Sequence, residues 1–254
     1  MIAALIARNT FREATRDRVL AGMMIAGVAF LLLIQVLTPL AMGQQERLVI
    51  DLGLSSISML GLLVVLTVGT NLVAKEIERR TIFSLLSRPI ARSTYLIGKW
   101  AGLTGAVWTI AAVLGIALWG LMAARGFASI GPSIAQATYL AALELAVITA
   151  VAVMFSALST PVLSALYTLG LYLVGQWCND LRAFAVQFPP ALARTTELLA
   201  NVVPNLPLFN MRALASQGLP TSFLHLGLAT LYAFLYCACV LALATAAFES
   251  RDFK

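Results

Sequence analysis

Charge is what this sequence has least of. Only 11% of its 254 residues are Asp, Glu, Lys or Arg, while 61% are hydrophobic. Soluble domains carry about 25% charged residues, so a water-soluble domain is excluded. Histidine is nearly absent as well, with His225 alone, and the three cysteines are Cys178, Cys237 and Cys239. An odd number implies no disulfide framework. Cys237 and Cys239 lie in an apolar run, where residues i and i+2 of a helix point about 200° apart and cannot converge on one ion. They read as small apolar side chains. No Walker A, H-E-x-x-H, G-x-S-x-G or N-x-S/T motif occurs. Glu76 and Arg80 form an E-x-x-x-R, but a membrane protease would need histidines to hold a metal or activate water. His225 stands at the outer end of a span and reads as an interfacial residue. No enzyme, metal site or cofactor is expected in this chain.

What the sequence has is long apolar runs. They are continuous and do not alternate with period two, which excludes barrel strands and predicts an all-α integral membrane fold. Uncharged runs at 19–42, 52–74 and 100–124 predict three spans, and further spans are predicted at 134–158, 162–177 and 222–248. The stretch G-Q-Q-E-R-L-V-I-D reads as a polar link between the first two. Residues 1–18 predict an interfacial elbow helix, with Arg8, Arg12 and Arg16 on one face and Ile2, Leu5 and Ile6 on another. The apolar run after it is too long for the core of a cleaved signal. Residues 178–221 hold Pro189-Pro190, the piece A-R-T-T-E-L-L-A-N-V-V and the break Pro204-Asn-Leu-Pro207. They predict short helices at, or dipping into, the membrane surface.

Six spans put both termini on one side. Twelve of the seventeen Lys and Arg then lie at the termini and in the 75–99 loop, against five in the opposite loops. The positive-inside rule places the termini and that loop in the cytoplasm, as for a multi-pass inner (plasma) membrane protein. The same rule accounts for the net charge of +6, so no nucleic-acid partner is expected.

Glu144 is the one charged residue inside these six predicted spans. A carboxylate at that depth is costly unless paired, protonated or hydrated, and no span supplies a Lys or Arg. Two readings stand: a group on a translocation path, with Asn71 as a further candidate, or a neutral hydrogen-bonded structural carboxyl.

The 75–99 loop is the long polar interruption of the first half. A helix over 76–88 would align Glu76, Arg80, Ser84 and Arg88 on one face, beside Thr81 and Ser87. Ile82, Leu85 and Leu86 would form an apolar stripe on the other. Pro89 would end it and Ser93 would cap the next helix. Gly98 and Gly102 have the small-xxx-small spacing of close helix contacts.

The run K-E-I-E-R-R-T-I-F-S-L-L-S-R-P-I-A-R-S-x-Y-L-I-G-K resembles the signature of ABC-2 type permeases, membrane subunits of ATP-binding-cassette exporters. Glu76, Glu78, Arg79, Arg80, Thr81, Leu85, Leu86, Pro89, Arg92, Gly98 and Lys99 carry the match. The N-terminal A-R-N-T-F-R-E-A-T-R-D-R, the P-N-L at 204–206 and the terminal F-E-S-R-D-F resemble the branch grouped with multicopper-enzyme-maturation permeases, such as the nitrous-oxide-reductase accessory permease. The resemblance implies an elbow helix, six spans, a cytoplasmic coupling helix between spans two and three, and short extracytoplasmic helices between spans five and six. It also implies two permease copies, two separate ATPase subunits holding ATP and magnesium, and an extracytoplasmic partner in some complexes. ATPase coupling would then fall to Glu76, Glu78, Arg79, Arg80, Thr81, Ser84 and Arg88. Two other classes remain open from the residues alone: an ion-coupled secondary transporter using Glu144, and a mechanotransmitting scaffold with no cargo.

Overall fold

The helix around which the others pack is apolar on all sides but for Glu144 and a few small polar residues. A computed structural model describes residues 2–38, 44–70, 91–185, 194 and 201–249, and no strand occurs among them. The helices are α1 (Ile2–Arg16), α2 (Arg18–Leu37), α3 (Gln45–Val64, continued by the π-helical turn Val65–Gly69) and α4 (Arg92–Ala124). After them come α5 (Gly131–Leu158), α6 (Pro161–Gln176), α7 (Cys178–Ala185), α8 (Arg212–Ser216) and α9 (Phe223–Glu249). Short 3-10 turns fall at Ala128–Ile130 and Leu206–Phe209.

A helix apolar on every side has to be buried on every side. That is the position of α5, whose apolar window is 89% buried. It packs against α3, α4, α6, α8 and α9. By contrast, the same share is 22% for α2 and 28% for the last helix. Ile25, Val36, Phe234 and Leu243 stand exposed there, an apolar surface suited to lipid rather than water. Among the described residues, five helical stretches are long and apolar enough to cross a membrane: Arg18–Val36, Gln45–Gly69, Arg92–Ala124, Ala128–Leu158 and Phe223–Ala247. A further apolar helix, α6, has 16 residues and a length of about 24 Å.

Side-chain bonds fix the direction of each helix relative to α5. Ser156 Oγ donates to the Thr70 carbonyl, and Gly61 packs on Leu145, so α3 runs parallel to α5. Tyr139 bonds to Thr230 and Cys237 Sγ donates to the Ala146 carbonyl, so α9 is parallel too. Trp100 and Trp108 donate to the Ala146 and Ala142 carbonyls, which makes α4 antiparallel. Ser164 on Phe155 O and Gln176 on Glu144 make α6 antiparallel as well. Residue 70, the start of α4, the α5–α6 turn and the end of α9 therefore share one end of the bundle.

Several expected boundaries move. The second span starts at Gln45, not 52, because the supposed link continues the helix and buries Val49 and Ile50. The third begins at Arg92, not 100, so Gly98 and Lys99 are interior helix residues. Ser93 is not its cap; Ala91 holds that position with no side-chain bond. Pro132 and Pro161 sit in the first turns of α5 and α6, where a missing N–H costs nothing. The segments expected as the first, fifth and last spans are helical over Arg18–Leu37, Pro161–Gln176 and Phe223–Glu249. The piece at 191–200 lies outside the described residues apart from Arg194.

The segment before α9 does not rest on the surface. Tyr236 Oη donates to the Val202 carbonyl, Tyr232 Oη accepts from Asn205 N, and His225 Nε2 lies 3.0 Å from Leu208 O. Farther along, Ser133 Oγ donates to Gly218 O and Gln136 Oε1 accepts from Thr221 N. Tyr236 lies 13 residues into α9, about 20 Å from its start. Residues 202–218 thus climb from mid-bundle to the end where α5 begins, filling space above the short α6.

Candidate functional site

Two regions carry the polar chemistry. The first is the frame around residues 71–90. Asn71, Glu76, Glu78, Arg79, Arg80, Thr81, Ser84 and Arg88 all lie outside the described residues. Their two anchors do not. At the α3 end, the turn Val65–Gly69 is π-helical, a feature frequent at functional sites. Thr70 Oγ1 donates back to Leu66 O, and its carbonyl is taken by the buried Ser156. At the other end, Tyr95 and Leu96 of α4 pack with Val153, Ala157 and Ala244.

α1 grips the same end of α4. A Cβ on Gly98 would lie 2.8 Å from Ile6 Cβ, and one on Gly102 would strike the Ala7 carbonyl and come 2.7 Å from Thr10 Cβ. The small-residue spacing therefore serves the N-terminal helix. Thr10 and Ala14 are buried in that contact, while Arg8, Arg12 and Arg16 stay exposed. Of the apolar residues Ile2, Leu5 and Ile6, Ile6 meets α4, while Ile2 and Leu5 are exposed. Lys99, buried at 4% exposure, pairs with the exposed Glu13 at 3.9 Å and lies 5.8 Å from the Tyr95 ring centroid. Glu13 was missed because it lacks the i+4 regularity of the arginines.

The second region is at mid-depth. Glu144 is 2% exposed, and Gln176 Nε2 donates to its Oε1 at 2.6 Å. Ser58 of α3 and Tyr172 of α6 face the same carboxyl, and Arg212 acts on it through its charge. Arg212 Nη1 also donates to Ser55 Oγ at 3.0 Å. The balancing cation thus comes not from a span but from α8, in the least apolar segment of the chain's second half. Reading partners span by span missed it. The signal available was a polar row on α3, Gln44, Arg47, Asp51, Ser55 and Ser58, at three- and four-residue spacing. Cys237 is buried and Cys239 exposed, on different faces of α9.

This is a helical integral membrane protein: a lipid-suited bundle with a polar cluster at mid-depth. The chain belongs to the ABC-2 family transporter proteins, whose pattern it matches over residues 4–253. It is accordingly a membrane protein of the permease type, and permeases of this family typically pair with an ABC ATPase. No curated protein matches the chain.

Proposed function

We propose that the chain is the membrane-spanning permease subunit of an ATP-binding-cassette transporter, coupling ATP hydrolysis by a separate ATPase to export or to conformational work across the membrane. Two copies would sit on two ATPase subunits, with ATP and magnesium bound there. Six spans, counting α6 as the fifth, would place both termini and residues 71–90 on the cytoplasmic side of the inner membrane. The elbow would be α1, and 76–88 would be the coupling helix. The short stretches at both ends and in the middle add a lean towards the multicopper-enzyme-maturation branch.

The observation that carries the reading is the frame. The residues that flank 71–90 are tightly anchored, Thr70 by Ser156 and Tyr95 and Leu96 by Val153, Ala157 and Ala244, so displacement applied there would pass into α3 and α4. The test is the double reversal Glu76→Lys with Arg80→Glu, reconstituted with the cognate ATPase. The protein should insert normally while hydrolysis loses its link to transport. Wild-type coupling would overturn the assignment.

A further inference from the structure

A cleft of about 690 Å³ opens where α3 begins, at the end of the bundle away from residue 70. Gln44, Arg47, Leu48, Asp51 and Leu52 form one wall, and α8, at Ala213, forms the other. The walls are tied together, because Arg212 of α8 donates at 3.0 Å to Ser55, one turn below Asp51, and Ala215 is buried. The volume is in the range of small-ligand pockets. Along the α3 wall the chemistry sorts into two rows at four-residue spacing. Arg47 and Asp51 are both exposed, while Leu48 and Leu52 beside them are partly buried.

Helix stability does not explain the charged pair. Arg47 lies in the first turn of α3, where the positive end of a helix disfavours a cation, and Arg before Asp is the weaker order at four-residue spacing. Among the described residues neither side chain has an ion pair or a hydrogen bond. Function is expected where residues break a local rule with no gain to folding. We propose that the cleft binds a small zwitterion with an apolar body, its cationic end on Asp51 and its anionic end on Arg47. Residues four apart are separated by about 6 Å along a helix, which sets the spacing of the two ligand charges. A dipeptide, about 7 Å long when extended, meets that spacing, whereas an α-amino acid, whose charges share one carbon, does not. Leu48, Leu52 and Ala213 receive the apolar body. Asp51 lies one turn nearer the middle of the bundle than Arg47, so the cationic end is the deeper one. A zwitterionic phospholipid carries its phosphate nearest the hydrocarbon, the reverse order, so the ligand is a soluble one. The site does not depend on the ATPase, and its failure would leave the permease assignment untouched.

The experiment measures binding of alanyl-leucine to the full-length protein in phosphatidylglycerol nanodiscs by saturation-transfer NMR. Saturable binding in the millimolar range is expected in wild type, because each exposed ion pair adds little. Acetylating the peptide amine should weaken binding about 2–5-fold in wild type and not at all in Asp51→Asn. Amidating its carboxyl should weaken binding by a similar factor in wild type and not at all in Arg47→Gln. Both positions are exposed on a helix, so the variants should fold, and the capped peptides also test the native protein alone. Phosphatidylethanolamine added to the nanodiscs tests a lipid headgroup as the occupant and should leave peptide binding unchanged. Four results would each overturn the proposal: no saturable binding, equal binding of capped and uncapped peptides in wild type, a capping penalty that persists in the matched variant, or displacement by phosphatidylethanolamine.

Discussion

Gln176 is the last residue of α6, and its amide donates to a carboxylate at the midpoint of α5. That bond sets the level at which the fifth apolar helix stops. From Glu144 to the start of α5 is 13 residues, about 20 Å of helix, and the returning segment at 202–218 fills that height. The short α6, the buried charge and the re-entrant segment are one arrangement. Glu144→Ala would leave the Gln176 amide without its acceptor, and the loss should exceed that of a neutral hydrogen bond, about 1–3 kcal/mol for an unsatisfied buried group. Glu144→Gln keeps the shape and one acceptor, so it should cost about 1 kcal/mol, insert normally and still alter transport. Thermal unfolding of both variants, with a flux assay on the second, checks the pair; equal destabilisation would refute the role of Glu144 as anchor.

The glycines of α4 are not equivalent. Gly102 has no room for a side chain against the Ala7 carbonyl and Thr10, whereas a Cβ at Gly120 would meet nothing within 4 Å. Gly102→Val should push α1 off its seat, costing about 1–3 kcal/mol for overpacking. Gly120→Ala should be neutral or stabilising by about 0.5–1 kcal/mol. Trypsin reports the difference, because cleavage after Arg8, Arg12 and Arg16 needs local unfolding of α1. Faster cleavage in Gly102→Val alone is the expected result.

How far the sequence could be read follows from what each residue reports. Helix class came through because an apolar run long enough for lipid declares itself without partners. Boundaries failed where polar residues continue a helix, as at Gln45–Asp51 and Arg92–Lys99, since hydropathy marks the edge of the lipid and not the edge of the helix. The depth of 202–218 was hidden for a different reason. Its position is set by Tyr232 and Tyr236, two hydroxyls inside an apolar span that look unremarkable until their acceptor and donor are known. Glu144 was legible as an anomaly, but its cation was not, because Arg212 is remote in sequence and counts as a loop residue.

Tyr236 gives that depth a test. Its hydroxyl donates to the Val202 carbonyl at 3.0 Å, and Tyr232 beside it accepts from Asn205 N. Tyr236→Phe keeps the ring packing and removes one bond, a loss of about 1 kcal/mol. The effect should be local. Amide exchange should quicken at residues 202–206 and stay unchanged in α3, α4 and α5. Uniform quickening would mean that the hydroxyl supports the bundle and not the returning segment.

Ser156 offers the sharpest probe of the frame around residues 71–90. Its hydroxyl is fully buried and donates to the Thr70 carbonyl at 2.7 Å, tying the last turn of α3 to α5. Ser156→Ala removes the donor and leaves that carbonyl to find another, at a cost of about 1–3 kcal/mol. Ser156→Thr retains the hydroxyl but adds a methyl to a packed wall, so it should lower stability while keeping the tie. If the loop works as a lever, the two variants separate. Both would be less stable, but Ser156→Ala alone would weaken the coupling of hydrolysis to transport, because only there does the α3 end move free of α5. Equal coupling in the two variants would place the stiffness of the frame in α4 and α1 instead.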